Sequence, residues 1–306
     1  MSSEIVPSAA FTEAWCPGFD GTKFYTRTWA ADSPKAVAIF LHGFADHVAR
    51  YDGVHTTWAS RNITVFAYDQ RGFGRTALDE VNKSPASAYG KTNTAYELQD
   101  IEFWINYTSA KYPALPLFLI GYSAGGAAIL TFVSRTEAPP KSETIAKISG
   151  VICASPLITL VHPPSAVART IGGFLCKVAP NIIIPAPVPA ERFSRSPEVV
   201  KAIESDNWRR PEGTLRGVDD MLNRGIANLK SDWKTWPKDL PILIVHGGAD
   251  EVNALKGSQS FIDLLSNTTD KKLVVIPNGL HDLYHEIDSI PQRVTDEYIS
   301  WIEAHL

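Results

Sequence analysis

The chain has 306 residues, 44% of them hydrophobic, which is enough to bury a large core as one unit with an insertion. A formal net charge of −4 gives no long-range attraction for nucleic acid or for an anionic membrane surface, so neither is expected as a partner through charge. Cys16, Cys153 and Cys176 are too few for a disulfide framework and lack metal-ligand spacing, so they read as buried thiols with no metal site among them.

In chain order, Met1–Pro7 has neither the basic start nor the apolar core of a signal peptide, and the expectation is a cytoplasmic protein. The N-x-[ST] triplets at Asn62, Asn82, Asn106 and Asn267 then read as chance matches. Phe19-Asp20-Gly21-Thr22 lies between Trp15 and an alternating run over 23–29, the pattern of an antiparallel hairpin. Continuous short apolar runs follow at 37–41, 64–68, 117–120, 151–154, 242–245 and 272–276. Runs without alternation predict strands covered on both faces. Helical patterns such as 95–112 and 258–266 separate them, which predicts an α/β fold with a largely parallel sheet.

That rhythm stops at 155 and resumes near 238. The proline-rich stretch 155–237 shows no strand signal and reads as a cap inserted into a core made of 1–154 and 238–306. Within it, 171–189 carries one charge, Lys177, yet its prolines and glycines would break a membrane-spanning helix. Two readings remain for these apolar residues: they pack the cap onto the core, or they face a lipid interface.

The chemistry centres on Gly121-Tyr122-Ser123-Ala124-Gly125, a G-x-S-x-G pattern between an apolar run and a helix-forming stretch. A strand turning sharply into a helix lifts the Ser123 hydroxyl above the sheet, and this makes it the candidate nucleophile. A serine hydroxyl needs a histidine base, an acid to orient it and backbone donors for the oxyanion. In such a sheet the order is serine, acid, histidine. Asp250 follows the run 242–245 and is the candidate acid, with Glu251 as its near rival and an ordinary helix-capping aspartate as the bland alternative. His281 follows the last strand and is the candidate base. His285 competes four residues on, His246 is placed at a strand end beneath the site, and His162 and His305 read as surface residues. The oxyanion donors are the Ala124 amide, at the start of the helix, and the Phe44 amide, on the loop after 37–41. Taken alone, His42-Gly43 would read as a plain strand-ending turn.

Together with His42-Gly43-Phe44-Ala45-Asp46-His47-Val48-Ala49-Arg50-Tyr51 and Tyr68-Asp69-Gln70-Arg71-Gly72-Phe73-Gly74, these motifs resemble the monoglyceride lipases of the α/β-hydrolase superfamily, and the fungal ones in particular. The resemblance spans nearly the whole core and is weakest in the cap. It implies an α/β-hydrolase fold and hydrolysis of monoacylglycerol through an acyl-enzyme, with no metal or organic cofactor. The implied partners are the acylglycerol itself and, through the cap, a membrane or lipid-droplet surface. By the same resemblance Asp46 and Arg50 take the places that bind the glycerol head, and Tyr284 stands where some relatives carry a second histidine. The chain departs from the family in having Tyr122-Ser123-Ala124 for His-Ser-Met, and Asp46 for a glutamate, one methylene shorter. An ion pair between Asp46 and Arg50 facing solvent is the bland alternative. A broader carboxylesterase or a lysophospholipase is the rival activity. A non-hydrolytic binding protein of the same fold would be favoured by loss of a triad member, and all three are present.

Overall fold

The apolar runs build six strands of an eight-stranded sheet with helices on either side; all are buried except the edge strand at 271–276, which the expectation of cover on both faces does not fit. The computed structural model describes residues 10–306, so the reading of Met1–Pro7 lies outside the described residues. The strands are β1 (Thr12–Pro17), β2 (Lys23–Trp29), β3 (Ala36–Leu41), β4 (Ile63–Tyr68), β5 (Leu117–Tyr122) and β6 (Ile148–Ala154). After these come the short β7 (Ile183–Pro185) and β8 (Glu212–Thr214), then β9 (Ile242–Gly247) and β10 (Lys271–Ile276). The sheet order is β1-β2-β4-β3-β5-β6-β9-β10. The hairpin β1–β2 turns at Asp20-Gly21, where Gly21 has a positive φ of 79°. It joins the sheet antiparallel to β4, and every pair from β4 to β10 is parallel.

Both faces are packed. One carries Phe24, Tyr68, Trp104 and Phe132, and the other Trp29, Phe40, Trp58, Tyr298 and Trp301. Chain direction across the sheet reverses between β3 and β5, and ligands of open parallel sheets bind outside the strand ends at such a switch point. The loop after β3 and the Ser123 turn after β5 both lie there.

The stretch 155–237 contains the helices Ala166–Val178, Pro197–Glu204 and Leu215–Lys230. The expectation that it holds no strands is corrected by the antiparallel pair β7–β8. Three residues per strand are too few to produce a periodic signal. Helix Leu215–Lys230 packs down onto helix Ala124–Ser134, with the Asn228 amide donating to the Ala127 carbonyl at 3.4 Å and the Thr131 hydroxyl donating to Asn228 at 2.9 Å. Among the described residues, no helix is long and apolar enough to cross a membrane.

The sharp turn after β5 requires a bare backbone at Gly125: a Cβ there would stand 2.5 Å from the carbonyl oxygens of Leu41 and His42. Those atoms are main chain and cannot swing aside. Gly125→Ala should therefore destabilise the fold by about 1–3 kcal/mol. Urea denaturation should show a lower midpoint with an unchanged slope, and an unaltered midpoint would contradict this packing argument.

Candidate active site

The site is assembled from the C-terminal ends of β3, β5, β9 and β10. Ser123 sits between β5 and helix Ala124–Ser134 with φ 53° and ψ −116°, a conformation L-residues seldom adopt. Its amide donates to the Ala154 carbonyl at 2.9 Å and its carbonyl accepts from Leu157 at 2.9 Å. Those bonds hold the turn, and the hydroxyl projects toward His281, whose Nε2 lies 3.0 Å from Ser123 Oγ. His281 Nδ1 donates to Asp250 Oδ2 at 2.8 Å. This bond leaves Nε2 free to accept from the serine.

The Asp250 side chain is out of solvent and well served. Its Oδ1 accepts from the amides of Val252 (2.8 Å) and Asn253 (2.9 Å), and His246 Nε2 stands 3.2 Å from Oδ2. His246 is itself fixed, donating from Nε2 to the Asn253 carbonyl at 3.0 Å and accepting at Nδ1 from Ser258 Oγ at 2.8 Å. Burial works against the Asp250 carboxylate, but the charge of His281 and the hydrogen bonds from both histidines outweigh it and hold the group below the ordinary carboxylate range. Asp250 is thereby kept ionised beside the imidazole.

The Phe44 and Ala124 amides flank the serine from the β3 loop and the helix start, and among the described residues neither is taken by an acceptor. Ala124 opens the helix, whose dipole favours negative charge at that end. Close approach of the two loops depends on Gly43, whose missing Cβ would stand 3.2 Å from Ser123 Cβ.

Asp46 and Arg50 line the same cavity, but the pair is buried and does not face open solvent. Arg50 Nη1 donates to Asp46 Oδ1 at 3.0 Å and Arg50 Nη2 to Asp282 Oδ2 at 2.8 Å. Tyr51 donates to Asp46 Oδ2 at 2.6 Å, while His285 bridges Asp282 (2.9 Å) and the Arg50 carbonyl (2.7 Å). Burial opposes the Asp282 charge, yet His285 and Arg50 prevail and bring its pKa down to about 2. Asp46 is likewise held low by Arg50 against its burial.

Tyr284 is a correction. Its buried ring packs among Phe40, Tyr51, Tyr122 and Tyr298 and does not line the cavity. The turn after His281 sends position 284 into the core and leaves positions 282 and 285 beside Arg50, a distinction of side that a place in a sequence cannot carry. His162, read as a surface residue, is exposed and also lines the cavity.

Two residues of the site had no signal in the sequence. Asn253 is fully buried, with Nδ2 donating to the Ser155 carbonyl at 2.8 Å and lying 3.4 Å from Ser123 Oγ. Glu286, five residues after His281, has a side chain wholly out of solvent. It accepts from the amides of Leu280 (3.0 Å), Ile287 (3.0 Å) and Arg195 (2.8 Å), and so ties the histidine loop to the cap segment.

The triad geometry opens onto a cavity of about 560 Å³, with apolar walls that include Leu157, Leu160, Phe193 and Met221. A mostly parallel sheet of this order, with a serine raised on a strand-to-helix turn, defines the α/β-hydrolase fold, and the protein is a serine hydrolase. Residues 32–288 match the model of the serine aminopeptidase S33 hydrolases, and the chain belongs to that family. It is 30% identical over 287 residues to a putative monoglyceride lipase of Schizosaccharomyces pombe, covering 92% of this chain and 71% of that one. It is 27% identical over 299 residues to the monoacylglycerol lipase of Mycolicibacterium smegmatis, covering 94% and 96%. Among solved structures it is similar to a soluble variant of monoglyceride lipase from Saccharomyces cerevisiae in complex with a substrate analogue, with a TM-score of 0.85, 26% identity, and 99% and 97% coverage.

The depressed Asp282 carboxyl makes a stability prediction. A folded-state pKa of about 2 against roughly 3.9 unfolded means the Asp282 contribution is fully present above pH 4 and is lost as pH falls through 2. Asp282→Asn should cost about 3–5 kcal/mol at neutral pH, because Arg50 and His285 lose their buried partner. Between pH 4 and 2 the variant should then lose stability less steeply than the parent in chemical denaturation. Parallel acid limbs would refute the assignment.

Proposed function

We propose that the protein hydrolyses monoacylglycerol to a fatty acid and glycerol. The observation that carries this reading is a single cavity that holds the candidate triad, apolar walls and a buried polar pair. Ser123 and His281 line it together with Leu157, Leu160 and Met221, and so do Asp46 and Arg50. One acyl chain and a head with two free hydroxyls match those two kinds of wall. The monoglyceride lipases to which the chain is similar support the same substrate.

In this reading Ser123 Oγ attacks the ester carbonyl while His281 Nε2 takes its proton. The oxyanion accepts from the Phe44 and Ala124 amides, backbone donors that would need little reorganisation. The imidazolium, stabilised by Asp250, protonates the departing glycerol oxygen, and water then repeats the sequence on the acyl-enzyme to free the acid. Asp46 Oδ1 is filled by Arg50 and the His47 amide, but Oδ2 keeps acceptor capacity beyond its bond from Tyr51, and Arg50 keeps donors, so both can meet head-group hydroxyls. A second acyl chain would remove a hydroxyl and leave that polar wall unpaired, at about 1–3 kcal/mol. Preference for mono- over di- and triacylglycerol follows. Residues 155–237 act as the cap of this site.

The cap is also the lipid-facing element. Val167, Ile171, Phe174 and Val178 repeat along one side of helix Ala166–Val178, and Phe174 and Val178 are each 66% exposed. A helix with such a face rests at a lipid surface with its apolar side down. The proposal is peripheral contact with a membrane or a lipid droplet.

Ser123→Ala and His281→Ala should each lower kcat by roughly 10⁶-fold and the double variant by little more, because the triad acts as a unit. Asp250→Asn should cost about 10⁴-fold through the wrong imidazole tautomer. Assays on monooleoylglycerol, dioleoylglycerol and a p-nitrophenyl ester measure these effects, and equal turnover of mono- and diacylglycerol would favour the broader esterase. Phe174→Ser with Val178→Ser should depress activity on dispersed long-chain monoacylglycerol severalfold and leave the soluble p-nitrophenyl ester unchanged. Equal loss on both substrates would remove the lipid-surface role.

A further inference from the structure

A second apolar hollow, of about 470 Å³, lies behind the wall of the catalytic cavity. It runs between the segment after β6 and helix Leu215–Lys230, with Ile158 and Leu160 on one side and Ile226 and Leu229 on the other. Leu157, Leu160, Arg169 and Leu222 line both spaces and so form the partition. The floor is preformed: Gly225 lets the helix rest on the chain at Ile158, where a Cβ would stand 2.5 Å from the Ile158 carbonyl oxygen. A volume of this size falls within the roughly 300–1,000 Å³ typical of small-molecule sites.

The charges lining the hollow are of one sign. Arg169 and Lys230 are its only charged residues among those described, and no carboxylate lines it. Arg169 is half-buried and oriented by a bond from Nη2 to Asn223 Oδ1 at 2.6 Å; it makes no ion pair among the described residues, and the Asp219 carboxylate stands beyond Asn223, which donates to it at 2.9 Å on the side of the first cavity. Lys230 stands near the other end of the helix segment, about 10 Å from Asn223 at the helical rise. An apolar trough ending in a guanidinium that has no ion-pair partner among the described residues suits a single-chain amphiphile with an anionic head.

We propose that this hollow is a second lipid site that binds one fatty-acid anion, with its carboxylate at Arg169 and its chain between helix Leu215–Lys230 and residues 157–160. The site goes beyond the hydrolytic reading, since it needs neither the triad nor a particular ester. Its shared wall places it beside the space where a fatty acid is released.

The test fills the first cavity and titrates the second. Protein whose Ser123 has been capped with a long-chain alkyl fluorophosphonate, checked by intact mass, is titrated calorimetrically with laurate below its micelle concentration. One laurate per chain is expected, with affinity rising roughly three- to fourfold per added CH₂ from octanoate to laurate. Dodecanol should bind at least tenfold more weakly, and Arg169→Gln should remove that difference. Ile226 is 54% exposed, so Ile226→Asp should fold, keep its rate of fluorophosphonate labelling and lose laurate at least tenfold. No binding to the capped protein, equal affinity for dodecanol, or indifference to Ile226→Asp would each overturn the proposal. If Ser123 takes no adduct, the catalytic assignment fails instead. The unmodified chain then decides the hollow: two laurates are expected for the parent and one for Ile226→Asp, and an unchanged stoichiometry overturns it.

Discussion

Everything at the site hangs on the backbone turn at Ser123. A left-handed φ at a non-glycine residue costs on the order of 1–3 kcal/mol and persists only where its surroundings over-determine it. Here β6 takes the Ser123 amide, Leu157 takes its carbonyl, and Ala127 closes the first helical turn on the same oxygen at 3.1 Å. The reward is positional, because the turn puts Oγ above the sheet and the start of a helix directly behind it. Gly121 and Gly125 follow as requirements, for main chain converges where a Cβ would have to stand, and at Gly43 the Ser123 Cβ and the Tyr122 ring crowd the same place.

The stretch 155–237, the proposed cap, is stitched to both loops beside Ser123 and His281. On one side Asp206 accepts from His47 Nε2 at 2.7 Å, and His47 belongs to the loop that carries the Phe44 amide. Burial alone would lower the His47 pKa, but Asp206 and the nearby Asp69 and Asp46 raise it, so the charged form is favoured there. On the other side the Phe193 carbonyl accepts from the Asp282 amide at 2.8 Å, Ser194 donates to the His285 carbonyl at 2.8 Å, and Glu286 gathers Arg195 and Leu280. The Phe193 ring also packs edge-on against His281 at 5.5 Å. A displacement of residues 193–206 would have to break polar bonds to the loop after β3 and to the loop that carries His281 together. The place of this stretch and the order of the candidate triad are therefore one structural problem.

The Asp46–Arg50–Asp282–His285 cluster shows how an apolar cavity tolerates charge. Each carboxylate meets a cation and a further donor, and the one guanidinium spans both acids. Burial lowers the His285 pKa, and the facing Asp282 more than restores it; both ring nitrogens face acceptors, Asp282 and the Arg50 carbonyl, so the protonated form is favoured there. Removing any member would leave an uncompensated charge in a low-dielectric wall, and for that reason the cluster behaves as one unit.

Local signals in the sequence were strong wherever a physical requirement fell on consecutive residues. Two-faced burial writes continuous apolar runs, which is why β3, β4, β5, β6 and β9 could be read to within a few residues; the edge strand β10 was read from its apolar run as well, yet only its end is buried. A sharp strand-to-helix turn writes G-x-S-x-G, and loops after late strands are the places where Asp250 and His281 stand. Other requirements are met across space and leave no mark along the chain. Asn253 reaches Ser155 and Ser123 over roughly a hundred residues or more, and Glu286 joins the histidine loop to Arg195, some ninety positions earlier. Whether position 284 or 285 faces Arg50 depended on how one turn was packed, and a single rotation of the chain exchanges core for cavity. The short pair β7–β8 and the two hollows on either side of Arg169 likewise arise only when distant segments close on one another. Residue type and spacing determined the chemistry this chain can carry, and tertiary contacts decided which groups meet, because hydrogen bonds and charges act over a few ångströms of space and take no account of distance in sequence.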